Sequence, residues 1–159
     1  MNLPDKLQHK ESTDETLLQA PSHESYLIYI RAIVADLAGK VGFDEHEIAK
    51  IEIAVDEACS NVVKHAYAGS QEWRWQHCDP EIRLDLRTEG DCLVIEINDH
   101  GQGFDFANYQ PTEIDSRLRE MNPGGYGIPI MRRFMDEVQY SSNDQTGNTL
   151  RLVKYLKKR

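Results

Sequence analysis

Apolar and polar positions recur along this chain with two periods. Ile48, Ile51, Val55, Ala58 and Val62 are spaced by three and four residues, which lines one face of a helix. Asp44 precedes this run as an N-cap, with Glu47 three residues on as in a capping box, and the pattern predicts a helix to about Tyr67. A second helical repeat, Tyr26, Ile30, Ile33, Leu37 and Val41, lies between His23 and about Lys40. Pro21 and a capping Ser22 precede it, and Gly39 and Gly42 end it. Elsewhere the period is two. Ile82, Leu84 and Leu86 alternate with Arg83, Asp85 and Arg87. Glu89-Gly90-Asp91 turns the chain, and Leu93, Ile95 and Ile97 then alternate with Val94, Glu96 and Asn98. Residues 14–20 form a short edge strand, Val138 and Tyr140 begin a fourth, and Thr149 to Leu156 form the last after a turn at residues 143–147. Ile128, Met131 and Met135 give one more short helix, with Pro129 acceptable only in its first turn.

Helices, two strands, a long connection, a helix and two strands make an α+β chain. The expected architecture is a two-layer α/β sandwich, with helices on one face of a mixed, mainly antiparallel sheet. Residues 1–13 are polar and expected to be loosely ordered, and 14–159 to form a single domain. The connection at 104–124 has the length of a lid or binding loop, with a short helix expected around Thr112 to Arg119. Trp73 and Trp75, in the loop at 70–80, suit either packing back onto the domain or a contact surface.

Composition narrows the partners. Asp and Glu number 27 against 18 Lys and Arg, a formal net charge of -9, which disfavours direct nucleic-acid or anionic-membrane binding. No apolar run approaches the roughly 18 residues a membrane helix needs, and the first residues lack a signal peptide's apolar core. The expectation is a cytoplasmic protein without a membrane partner, whose Cys59, Cys78 and Cys92 are reduced structural thiols.

Four polar features interrupt this pattern. Glu57 and Asn61, one helical turn apart beside the buried stripe, place a carboxylate and a carboxamide where a base and a metal ligand can face one ligand. Asp99-x-Gly101-x-Gly103 follows a strand. Its carboxylate suits a planar amine such as the exocyclic amino group of adenine, although a tight turn with a capping Asp explains it equally well. Gly124-Gly125-Tyr126-Gly127 precedes a helix, where backbone N–H groups and the helix dipole favour phosphate, although a flexible hinge also fits. Gly147-Asn148-Thr149 enters the last strand, where a hydroxyl can brace a neighbouring carboxylate; alone it reads as a hairpin turn.

The order of these features is more specific than any one of them. Glu-x-x-x-Asn on a helix, Asp-x-Gly-x-Gly after a strand, a lid, Gly-x-Gly before a helix and Gly-x-Thr before a strand resemble the GHKL ATPases, from about residue 14 to 156. AVDEACSNVVKHAY, the helix before it and GYGI…MDEV are similar to the anti-sigma-factor serine/threonine-protein kinases within that group. The resemblance implies a sandwich of the Bergerat type, with ATP and Mg²⁺ as cofactors. It implies that Asn61 binds Mg²⁺, Glu57 is the general base, and Asp99 reads adenine. Gly101 and Gly103 make room for the base, Gly125 and Gly127 hold the phosphates, and Thr149 supports Asp99. The implied partners are a small anti-sigma-factor antagonist that accepts the phosphate, a sigma factor, and a second copy in a homodimer. One departure stands out: no Lys or Arg adjoins the glycines at the lid's end, the nearest being Arg117, Arg119, Arg132 and Arg133. His65 follows Glu57 and Asn61 at helical spacing and suits a core-edge histidine or a residue orienting Glu57.

Three functions fit these residues. The first is a bacterial protein serine kinase that phosphorylates an antagonist and sequesters a sigma factor. The second is a nucleotide-gated binding module of the same fold without significant catalysis, against which Glu57 argues, because a pure binder needs no base. The third is a nucleotide hydrolase in a larger assembly.

Overall fold

The computed structural model describes residues 14–66, 80–104, 106 and 127–157. Residues 1–13, the Trp73–Trp75 loop, Cys78 and nearly all of the 104–124 connection, with Gly124 and Gly125, lie outside them. In chain order the elements are β1 (Glu15–Pro21), a short 3-10 turn (Glu24–Tyr26), α1 (Leu27–Val41), α2 (Glu45–Asn61) and a π-turn (Val62–Ala66). They continue with β2 (Glu81–Glu89), β3 (Cys92–Asp99), α3 (Gly127–Phe134), β4 (Glu137–Asn143) and β5 (Gly147–Tyr155). The five strands form one sheet in the order β1-β2-β3-β5-β4. Every described pairing is antiparallel, so the parallel component expected of a mixed sheet is absent among the described residues.

Alternation divides the sheet into two chemically distinct faces. Ile82, Leu84, Leu86, Leu93, Ile95, Ile97 and Leu152 share one core with Ile30, Val34 and Ala38 of α1, Ile51, Val55 and Ala58 of α2, and Ile128 and Met131 of α3. The opposite face is a ladder of cross-strand polar pairs. Arg87 Nη2 meets Glu96 Oε1 at 2.8 Å, Arg151 Nη1 meets Glu137 Oε2 at 3.4 Å, and Asn98 Nδ2 donates to Asp85 Oδ2 at 3.0 Å. Beneath this ladder Cys92, Val94 and Val153 form a small second cluster. Solvent-facing ion pairs contribute about 0–1 kcal/mol each, whereas truncating a core Ile or Leu to Ala costs about 2–5 kcal/mol. The helix-facing core therefore holds the fold, and the ladder sets the register.

Local chemistry starts and stops the helices. Gly42 closes α1 in the left-handed conformation (φ 109°), donating to Ala38 O and Gly39 O, so Gly39 lies inside the helix. His23 Nδ1 accepts from Ser25 N at 3.1 Å and caps the 3-10 turn leading into α1, whose own N-cap, Tyr26, makes no side-chain cap bond; Ser22, the expected cap, is one residue too early for that turn. The buried face of α1 is Ile30, Val34 and Ala38, with Leu37 and Val41 partly buried, while Tyr26 and Ile33 of the expected stripe are exposed beside Ile28 and Tyr29. A three-or-four spacing admits two adjacent stripes, and the sheet selects between them. Asp44 Oδ1 caps α2 by accepting from Glu47 N at 2.9 Å.

One buried cation ties three elements together. Lys154 of β5, 5% exposed, donates to Phe134 O at the end of α3 at 2.7 Å and meets Glu47 Oε2 of α2 at 2.8 Å. Hydrogen bonds from Lys154 and Lys50 hold the Glu47 carboxyl down at about 2. An ammonium near a helix C-terminus also complements its dipole. The tie fixes the far end of α3, whose near end enters the site.

Candidate functional site

The site lies at the end of α2, which meets the start of α3 at Gly127 and, through the π-turn, the loop after β3 at Gly101 and Gln102. Glu57 and Asn61 emerge half-buried from α2, one turn apart, beside Ala58 and Cys59 of its buried face. Gly127, the first residue of α3, is so close that a Cβ there would lie 3.1 Å from Glu57 Oε2 and 3.1 Å from Asn61 Nδ2. The carboxylate, the carboxamide and a helix N-terminus thus converge, although Gly127 is 70 and 66 residues away from them along the chain. Backbone N–H groups that start a helix have no intrahelical acceptor, and the dipole favours an anion in front of them. Glycine is needed here because any side chain would fill the space between the helix end and the polar pair. Asn61 offers one hard oxygen, which suits Mg²⁺, an ion bound by one or two protein oxygens together with phosphates and water.

Asp99 ends β3 and is 8% exposed. It shares the sheet face of Leu93, Ile95 and Ile97, which carries it toward the helices. Its Oδ1 accepts from Gly101 N at 2.9 Å and from Asn148 Nδ2 at 2.8 Å. Burial pushes its carboxyl above the usual carboxylate range, and the two donors pull it back only in part. Asn148 is its cross-strand partner in the β3–β5 register.

The register corrects the expectation for Thr149. Thr149 pairs with Asn98, and its hydroxyl donates to Asn98 Oδ1 at 2.7 Å on the ladder face. Side chains alternate across a strand, so Thr149 points away from Asp99 and its neighbour Asn148 takes the bracing position. Parity was the available signal: Asp99 continues the Leu93–Ile97 face, and only an even step from Leu150 or Leu152 reaches the same face on β5.

Gly101 and Gly103 are each packed tightly within the chain. Neither takes a positive φ. A Cβ on Gly101 would overlap Ala66 O of the π-turn, and one on Gly103 would overlap Ser142 Oγ. Both glycines let the loop after β3 lie against the protein's own backbone and side chains. Gln102 N donates to Ala66 O at 2.6 Å, which fastens that loop to the end of α2. Gly147 is the glycine with a left-handed conformation here (φ 85°), where a Cβ would overlap Asp99 O.

The beginning of the long connection is anchored at the same end of the molecule. Phe104 N donates to the Tyr140 hydroxyl at 2.8 Å, and Phe106 stacks on Tyr140 with ring centroids 5.6 Å apart. The Arg132 guanidinium lies 4.9 Å over Phe106. Arg132 is thereby drawn to an aromatic ring, Arg133 is exposed, and Arg117 and Arg119 lie outside the described residues. His65 is exposed on the π-turn. Among the described residues no helix is long and apolar enough to cross a membrane.

Comparison with known proteins agrees with this fold. The sequence pattern of the histidine kinase-like ATPase domain family matches residues 20–154. The serine-protein kinase RsbW of Bacillus pumilus is 31% identical over 92% of this chain and 88% of its own length. The serine-protein kinase RsbW of Bacillus subtilis is 29% identical over 92% and 89%. Among solved structures, the RsbU and RsbW domains of a Mycobacterium tuberculosis protein superpose with a TM-score of 0.63 at 18% identity, covering 92% of this chain and 33% of that longer one. At that identity the superposition is a statement about fold.

Proposed function

This chain belongs to the histidine kinase-like ATPase domain family and, within it, to the anti-sigma-factor serine-kinase family, and from that premise we propose that it transfers the γ-phosphoryl group of ATP to a serine of a small antagonist protein and sequesters a sigma factor in the bacterial cytoplasm. The observation that carries the proposal is the convergence of Glu57 Oε2 and the Asn61 amide on Gly127 at the start of α3.

The positions support the following roles. Glu57 accepts the proton of the attacking serine hydroxyl, whose oxygen bonds to the γ-phosphorus as the bond to the β-bridging oxygen breaks and ADP leaves. Gly127 and the first N–H groups of α3 receive phosphate oxygens, with Gly125 in the same role before them. Asn61 would hold Mg²⁺ through its side-chain oxygen, and the ion would supply neutralisation of phosphate charge. Asp99, with Oδ1 already bonded, presents Oδ2 to the adenine amino group. The relatives named as serine-protein kinases support the reaction class, and the family supports a homodimer.

The deciding experiment is capture of partners from the native cell with and without ATP, with mass spectrometry for phosphoserine. The expected result is an ATP-dependent phosphoserine on a small captured partner. Glu57→Ala should lower transfer by about 10²–10⁴-fold while ADP affinity stays within about twofold. A protein that binds no adenine nucleotide with Mg²⁺ defeats the proposal. A partner complex that assembles and dissociates normally in Glu57→Ala would instead favour the nucleotide-gated binding module.

A further inference from the structure

A carboxylate has two oxygens, and the fold consumes one of those on Asp99. Oδ1 accepts from Gly101 N at 2.9 Å and Asn148 Nδ2 at 2.8 Å. Asn148 is itself 3% exposed and fully engaged: Nδ2 also donates to Gly101 O at 3.0 Å, and its Oδ1 accepts from the Ser142 hydroxyl at 2.7 Å. Chemistry fixes which way this amide points. Reversing it would set its oxygen against two other acceptors, Asp99 Oδ1 and Gly101 O. The Asp99 carboxylate therefore cannot turn without losing two bonds inside a buried network, and Oδ2 accepts no hydrogen bond from any described residue.

We propose that Asn148 is a specificity-determining positioning residue, which by occupying Asp99 Oδ1 leaves one acceptor open and so admits a purine with a single amino donor, adenine, over one that needs both oxygens. The inference rests on the ATP-binding reading above and adds the residue that sets base choice. Adenine offers the 6-amino group to one acceptor. Guanine carries an acceptor, O6, at that position, and its adjacent N1–H and N2–H donors match a carboxylate only when both oxygens are free. With Oδ1 filled, guanine leaves a donor unpaired or sets O6 against the carboxylate, and a buried unpaired polar group is the stronger discriminator. Gly103 belongs to the same device: a Cβ there would strike Ser142 Oγ and come within 3.3 Å of Asn148 Oδ1, displacing the hydroxyl that orients the amide.

The test is calorimetric binding of ADP, GDP and purine riboside 5′-diphosphate, which lacks the 6-amino group, to the full chain and to Asn148→Ala. Wild type is expected to prefer ADP to the deaminated analogue by at least about tenfold, as a hydrogen bond to a charged group would give. Asn148→Ala is expected to weaken ADP by about ten- to a hundredfold, hold the analogue within about twofold, and narrow the ADP-to-GDP ratio. A general structural role would weaken ADP and analogue alike, and that outcome, or unchanged ADP binding, overturns the proposal. A ¹³C carboxyl titration gives a readout without nucleotide: losing the Asn148 donor should raise the Asp99 pKa further, and an unmoved titration also overturns it. If Asn148→Ala does not fold, Ser142→Ala is expected to give the same pattern at about two- to fivefold, with the same overturning outcomes. Wild type that binds no nucleotide defeats the ATP-binding reading itself, whereas wild type that binds ADP and the analogue equally defeats the base-choice inference alone.

Discussion

Asp99 shows how a single residue can be a cost to the fold and an asset to the site. Burial raises its carboxyl pKa, so the folded state resists the charge that the proposed reading of adenine requires. A carboxyl whose folded pKa is raised weakens the fold above that pKa, and the penalty is relieved as pH falls through it. Asp99→Asn is isosteric, and its amide oxygen can keep the bonds from Gly101 N and Asn148. The variant is therefore expected to melt at a higher temperature than wild type at pH 7 while losing ADP affinity by about ten- to a hundredfold, because an NH₂ donor then faces the adenine amine. Differential scanning calorimetry beside titration calorimetry checks both halves, and a lower melting temperature would contradict the first. Thr149 teaches the complementary lesson. Its hydroxyl chemistry suited the expected role, but strand parity sent it to Asn98.

At the scale of elements, the site is made by the way α3 abuts α2. Helix periodicity placed Glu57 and Asn61 on one edge of α2, and the glycine preceding Ile128 and Pro129 placed a helix start at Gly127, far along the chain. Neither pattern states that those two places touch. The contact is tight enough to predict its own mutant. A Cβ at Gly127 would lie 3.1 Å from each polar side chain, so Gly127→Ala must push the pair aside by a few tenths of an ångström. The expected outcome is a folded protein with nearly unchanged circular dichroism and phosphoryl transfer reduced by about ten- to a hundredfold, as small misplacements of reacting groups produce. Full transfer activity in that variant would show that Glu57 and Asn61 need no such closeness to α3. The π-turn after α2 works at the same scale: it offers Ala66 O to the loop of Gly101, so the helix of Glu57 and Asn61 and the loop after Asp99 share an attachment.

Across the whole molecule, Lys154 and Glu47 join β5, α2 and α3 away from the reacting groups. Glu47 titrates at about 2 in the fold against 4.5 ordinarily. A depressed carboxyl stabilises the folded state above the ordinary value, and the contribution is lost as pH falls from 4.5 toward 2. With Glu47 partly exposed, that contribution is about 2 kcal/mol. Urea unfolding of wild type and Glu47→Gln should therefore differ by about that amount at pH 7 and converge near pH 2. A difference that stays constant with pH would mean that the pair is not what holds the end of α3.

Sequence alone determined the layers, the strand and helix order and the residue types of the site. Apolar period and turn chemistry are local properties, and the helix-facing strand residues are legible as soon as the alternation is read. Tertiary structure decided what depends on relative position. The sheet chose Ile30, Val34 and Ala38 as the buried face of α1 in place of the stripe through Tyr26 and Ile33. The register of β3 on β5 gave Asp99 to Asn148, and packing brought Gly127 to Glu57 and Asn61. The loop glycines answer to Ala66 and Ser142, residues far from them along the chain. The physical reason is the same in each case: spacing fixes the face of an element on which a side chain stands, while the identity of what it meets is set by how elements pack.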